Sequence, residues 1–182
     1  MKITTVLLTI ASAFTSQLSA QIFMAKTCEV SFFSKTPVED ITAISNIAKP
    51  LLNTKTQDVQ IKIPMTSFVF EKPLMQEHFN ENYVESEKYP FAIFKSKINE
   101  PVDFTKDGEY TVTVTGILSI HGVDKEYTLP GKLIVKGEQI TISSRFKIKF
   151  ADHNIIIPAL YRGIIPPDTE VKINATLEPY KK

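Results

Sequence analysis

Apolar and polar positions alternate with a period of two in segment after segment, the spacing of strands that are dry on one face and wet on the other. The longest run places Ile140, Ile142, Phe146, Ile148 and Phe150 on one face, with Gln139, Thr141, Ser143, Arg145, Lys147 and Lys149 on the other. Val171, Ile173, Ala175 and Leu177 repeat the pattern against Glu170, Lys172, Asn174, Thr176 and Glu178. Val59, Ile61 and Ile63 alternate with Asp58, Gln60 and Lys62, and Val112, Val114, Leu118 and Ile120 face away from Thr111, Thr113 and Thr115. Gly116 falls inside this last run, where a bend or bulge would fit. Shorter strands are expected over 30–33, 40–46 and 91–98, and a pair of hairpin arms over 126–129 and 132–135. Turn signals stand at Asp107-Gly108, His121-Gly122 and Lys136-Gly137. The one helical pattern covers 73–83, with Pro73 suited to a first helical position and Leu74, Met75, His78 and Phe79 on one side.

About eight or nine antiparallel strands with one short helix predict an all-β fold, a sandwich or a closed barrel, and closure into a barrel has the advantage of removing exposed sheet edges. A ring of about eight strands can enclose one elongated apolar ligand. The predicted wall is Val30, Phe32, Val59, Ile61, Ile63, Phe94, Val112, Val114, Leu118, Ile142, Phe146, Ile148 and Ile173. A barrel packed solid would use the same residues as its core. The segment 152–168 is long, apolar and without strand or helix period, so it either tucks into the core or covers a cavity mouth. In the second case Ile155, Ile157, Leu160, Tyr161 and Arg162 form the lid, with Tyr161 and Arg162 as polar tips toward a head group.

Composition narrows the function classes. The 182 residues carry 21 Lys plus Arg against 20 Asp plus Glu, so no large positive field exists to attract nucleic acid. Residues 1–20 have the three parts of a secretory signal, with Lys2, an apolar stretch from Ile3 to Phe14, and small residues ending at Ala20. The expected mature chain, 21–182, is one barrel domain working in the periplasm or secreted. Cys28 is the only cysteine, which excludes an internal disulfide and any cage of several cysteines around a metal; it reads as a buried, inert thiol on a strand. No G-x-S-x-G, phosphate-binding loop or H-E-x-x-H occurs, and His78, His121 and His153 lie far apart. The expectation is therefore a protein that is no enzyme and uses no metal or cofactor.

The block Gly116-Ile117-Leu118-Ser119-Ile120-His121-Gly122-Val123-Asp124-Lys125-Glu126-Tyr127-Thr128-Leu129 resembles the G-x-L-T-I-H-G-V-T-R-P-V-T-L hairpin of the YceI-like family of exported polyisoprenoid-binding proteins. His78-Phe79-Asn80, then Glu87-Lys88-Tyr89-Pro90 and Phe94-Lys95-Ser96, are similar to its H-L…E-K-Y-P-x-x-x-F-x-S stretch in order and spacing. The family's opening H-S-x-V-x-F is here Thr27-Cys28-Glu29-Val30-Ser31-Phe32, and its later R-x-D-F-G keeps only Asp152. The resemblance implies a lipocalin-like barrel holding a long isoprenoid, such as a quinone tail or polyprenyl lipid, outside the cytoplasm. Because a bilayer is just as apolar, transfer is near balance, which suits carriage or storage, and transient contact to a membrane or membrane protein is expected. The alternative is a ligand-free structural barrel that partners a membrane protein. A continuous apolar tunnel with room for a chain marks the first; a filled interior with an exposed apolar patch around 155–165 marks the second.

Overall fold

A computed structural model describes residues 22–180. The secretory-signal reading of 1–20 lies outside the described residues. The strands are β1 (Ile22–Ser34), β2 (Ile41–Ser45), β3 (Leu51–Asn53), β4 (Asp58–Pro64), β5 (Val69–Phe70), β6 (Phe91–Ile98), β7 (Gly108–Ile120), β8 (Val123–Lys136), β9 (Gln139–Lys149) and β10 (Asp168–Pro179). They belong to one antiparallel sheet that closes as β1-β3-β4-β6-β7-β8-β9-β10 and back to β1. Two extra strands branch from the ring, because β1 changes partner half-way along. Ile22 to Met24 pair with β3, whereas Val30 to Ser34 pair with β2, which in turn pairs with β5. This β2–β5 flap completes the upper wall, tied to the turn Met65–Ser67 by facing hydroxyls of Ser45 and Ser67 at 2.6 Å.

The two ends differ. At the lower end Leu52, Ile98, Val112, Leu133, Val135, Ile140 and Leu177 are each at most 3% exposed and fill the interior. Gln57, in the left-handed region at φ 62°, seals this end: its amide donates to the Ile98 and Glu100 carbonyls and accepts from the Val102 N–H. The upper end carries the β7–β8 turn, the helix and the segment between β9 and β10.

Three local expectations change. The arms expected at 126–129 and 132–135 are one continuous strand, β8, running through Pro130. The Pro130 carbonyl accepts from the Ser144 hydroxyl at 2.5 Å, so that residue's missing N–H also points toward β9. The β8–β9 ladder spans only Lys132–Lys136 against Gln139–Ser143, so no bond is lost there. Gly116 forms no bulge, since both its ladders run unshifted. Glycine is required instead by close approach: a Cβ there would lie 2.1 Å from the Lys95 carbonyl oxygen. The helix begins as α1 (Pro73–His78) and then widens into a π-wound turn over Phe79–Tyr83, where the Val84 N–H reaches the Phe79 carbonyl at 3.0 Å.

Candidate functional site

Above the packed lower half the barrel holds a cavity of about 670 Å³. Alternation explains its wall, since every second residue of a strand faces inward and these positions are aliphatic or aromatic. Of the predicted wall, Val30, Phe32, Ile61, Ile63, Phe94, Leu118, Phe146, Ile148 and Ile173 line the cavity. Val59, Val112, Val114 and Ile142 do not. These four belong to the packed half, where Val59 is paired with Leu52, Val114 with Ile98 and Ile142 with Leu133, and those large partners leave no free space.

Much of the wall near the mouth comes from elements without a readable period. Phe68 and Phe70 flank the flap, Phe79 sits on the π-wound turn, and all three surround Phe32 with ring centroids 5.3–5.6 Å away. Phe79 also meets Phe68 at 5.8 Å and Phe70 at 5.1 Å, so four rings form one cluster. Met75 and Phe79, four apart on the helix, face the cavity together, and that spacing was the available sequence signal.

The segment between β9 and β10 covers one side of the mouth. Ile155 and Tyr161 line the cavity, as do Ile164 and Ile165. Ile157 and Arg162 instead border a shallow neighbouring hollow, and Leu160 is turned to solvent. The lid assigned to Ile155, Ile157, Leu160, Tyr161 and Arg162 is thus split between two surfaces, because the 3-10 turn Ala159–Tyr161 sends successive side chains in different directions.

Polar groups at the mouth are few. The buried Ser34 hydroxyl donates to Thr169 at 2.9 Å, and Thr169 donates to the Phe33 carbonyl, so this pair is satisfied internally. His78, Tyr83 and Tyr161 also reach the cavity, as do Thr36 and the ion-paired Glu39 and Lys72. Burial, and then the neighbouring Tyr161, push the Tyr83 phenol above its ordinary value, so it remains a neutral hydrogen-bonding group.

The other two histidines lie outside the cavity lining and tie its cover down. His121 and Gly122 form a two-residue turn with φ 52° and 71°, the backbone a tight hairpin demands. His121 Nε2 faces Glu85 at 2.5 Å, Nδ1 faces the His153 carbonyl at 3.1 Å, and Tyr89 packs against the imidazole. His153 is fully buried, with Nδ1 facing the Val123 carbonyl and Tyr127 stacked beside it. Burial lowers its pKa, partly offset by that carbonyl and by Asp152. The Tyr127 hydroxyl donates to Asp152 at 3.1 Å, which fixes the start of the covering segment to β8. Cys28 is buried on β1, and burial followed by the Glu29 charge raises its thiol to about 11.

Among the described residues no group of three or more His, Cys, Asp or Glu is placed to hold a metal. No described helix is long and apolar enough to cross a membrane. Fold and site together define a closed antiparallel barrel with an apolar internal cavity. The YceI-like domain model matches residues 14–178, and the chain belongs to that family. A polyisoprenoid binding domain from Saccharophagus degradans implicated in plant cell wall breakdown is similar in fold, with TM-score 0.74, 17% identity, and coverage of 88% of this chain and 99% of that one. Burkholderia cenocepacia BcnA gives 0.68 and 20% over 82% and 95% of the two chains. A Campylobacter jejuni YCEI protein gives 0.59 and 21% over 74% and 81%. Among curated proteins nothing matches.

Proposed function

We propose that this protein holds a long isoprenoid, a quinone tail or polyprenyl lipid, inside the upper barrel for carriage or storage outside the cytoplasm. The cavity of about 670 Å³ with its apolar wall carries the reading. If each chain carbon takes about the share of a water molecule, about 30 Å³, the cavity has room for about twenty carbons. At about 0.8 kcal/mol per buried methylene, such a segment gains about 16 kcal/mol relative to water. A bilayer offers the same gain, so exchange with a membrane is close to balanced and release stays accessible. A longer tail projects through the mouth, where Thr36, the paired Glu39 and Lys72, His78, Tyr83 and Tyr161 are the groups that meet its polar end. The family and the polyisoprenoid-binding neighbour support the ligand class. The open upper half favours this reading over a ligand-free barrel.

Native mass spectrometry of the protein purified from its own host, with organic extraction, tests it. A stoichiometric isoprenoid, lost in a folded Ile148→Glu or Phe146→Glu variant, is the expected result. A mass without ligand, unchanged after incubation with quinones and polyprenyl phosphates, would refute it. Fractionation should place the chain outside the cytoplasm with Gln21 as its first residue.

A further inference from the structure

Four of the five most exposed large aliphatic side chains among the described residues ring the cavity mouth. Val38 is 81% exposed, Leu160 78%, Ile156 70% and Leu74 59%. They come from three separate segments: the β1–β2 connection, the first turn of α1, and the cover between β9 and β10. Val38 and Leu74 themselves line the cavity edge, while Ile156 and Leu160 each adjoin in sequence a residue that does. The outward positions of β9 carry charges instead, Arg145, Lys147 and Lys149, while Ile44 and Val69, paired across β2 and β5, are a separate exposed apolar pair on the outer face of the flap. The four that gather at the mouth as a collar, drawn from three segments, make a contact surface there.

Charge selects the partner. Lys35 and Arg162 border the shallow hollow beside the mouth, which shares Ile164 and Ile165 with the main cavity. Neither cation has an ion-pair partner among the described residues; Arg162 Nε only approaches the Ile157 carbonyl at 3.5 Å. The nearby carboxylates are engaged elsewhere, Glu39 with Lys72 at 2.5 Å and Asp168 with Lys147 at 3.0 Å, while Asp40 accepts from the Thr36 N–H. Exposed Glu71, Glu77 and Glu81 lie on the helix side, so the collar is basic on one flank and acidic on the other.

We infer that the collar docks on an anionic bilayer surface, with Leu160, Ile156 and Val38 entering the acyl boundary and Lys35 and Arg162 resting among the head groups. Apolar side chains beside long cationic ones match the layered chemistry of that interface. This placement rests on the isoprenoid reading for its purpose, because a water-insoluble chain then passes between bilayer and cavity without crossing water. Its geometry stands on the collar alone.

Vesicle flotation of the mature chain tests it, using phosphatidylethanolamine with phosphatidylglycerol, or phosphatidylcholine alone, and no isoprenoid. Binding to the anionic vesicles should weaken at least fivefold from 50 to 500 mM salt and be weaker still on the neutral ones. The double variant Leu160→Asp, Ile156→Asp should lose at least tenfold while keeping its urea midpoint, since both side chains are exposed. Lys35→Ala with Arg162→Ala should lose most of the salt dependence. Unchanged flotation of the aspartate variant, or no flotation of the wild type, overturns the proposal, and retention of a protein partner through Leu160 in that second case assigns the collar to protein. The folded Ile148→Glu variant should still float without carrying lipid. Floating protein that never carries an isoprenoid refutes the cargo alone, whereas loaded protein that never floats refutes the docking alone.

Discussion

Whether the upper barrel is hollow has a thermodynamic signature that one substitution reads by sign. Ala92 lies on β6, is 6% exposed and lines the cavity. Ala92→Leu adds three carbons facing free volume. At about 0.8 kcal/mol per buried methylene the lipid-free protein should gain about 2 kcal/mol. For a chain of this size that corresponds to a melting shift of roughly +4 to +8 °C. Ala175 on β10, 3% exposed, is also buried but lies in the packed half, away from the cavity lining. There the same change has no space to fill and should cost about 1–3 kcal/mol by overpacking. Urea and thermal unfolding of delipidated wild type, Ala92→Leu and Ala175→Leu give the comparison. The added side chain also removes about 90 Å³ of space, so Ala92→Leu should hold a shorter chain or less of it. If Ala92→Leu is destabilised as much as Ala175→Leu, the hollow half does not exist and the binding argument falls with it.

Gly116→Ala should cost about 3 kcal/mol or more, because the new methyl meets backbone on both Lys95 and Ser96, while Gly131→Ala, with only ordinary contacts at 3.5 Å and beyond, should be close to neutral in the same urea titration. Cys28, with its thiol raised to about 11, should react with a disulfide reagent at pH 8 at least about 100-fold more slowly in the native protein than in urea; equal rates would place the thiol at the surface. His153 has its pKa lowered in the folded state by burial, so below the unfolded value of 6.5 the unfolded chain binds the extra proton first. Stability should therefore fall as pH drops below 6.5, by at most about 1.4 kcal/mol per unit from this group. His153→Gln should flatten that slope between pH 7 and 5, and an unchanged slope would remove His153 as its source.

Period-two alternation read over 139–150 and 170–178 matches β9 (Gln139–Lys149) and β10 (Asp168–Pro179) to within two residues at each end and says which of their side chains face inward, and the shorter strand expected over 91–98 is β6. The reason is local: adjacent residues of a strand point to opposite faces, so any strand with one wet side writes its orientation into the sequence. The same rule made Val30, Phe32, Phe94, Phe146 and Ile173 readable as inward residues. It could not separate them from Val59, Val112, Val114 and Ile142, because inward is a property of one strand whereas empty is a property of the whole ring. How far β1 pairs with β3 before turning to β2, and how far β8 stays joined to β9, decide which rows are filled and which enclose space. Phe68 and Phe70 were illegible for a related reason. A connecting residue and a two-residue strand are too short to show a period, and although Phe79 was legible on one side of the helix, only tertiary packing brings the three rings around Phe32. The sequence pattern by itself determined an antiparallel all-β fold and which face of each strand is dry, and the family resemblance pointed to a barrel. The tertiary structure alone decided that the sheet closes and that its upper half is hollow, because closure and free volume arise from non-local register rather than from any segment's pattern.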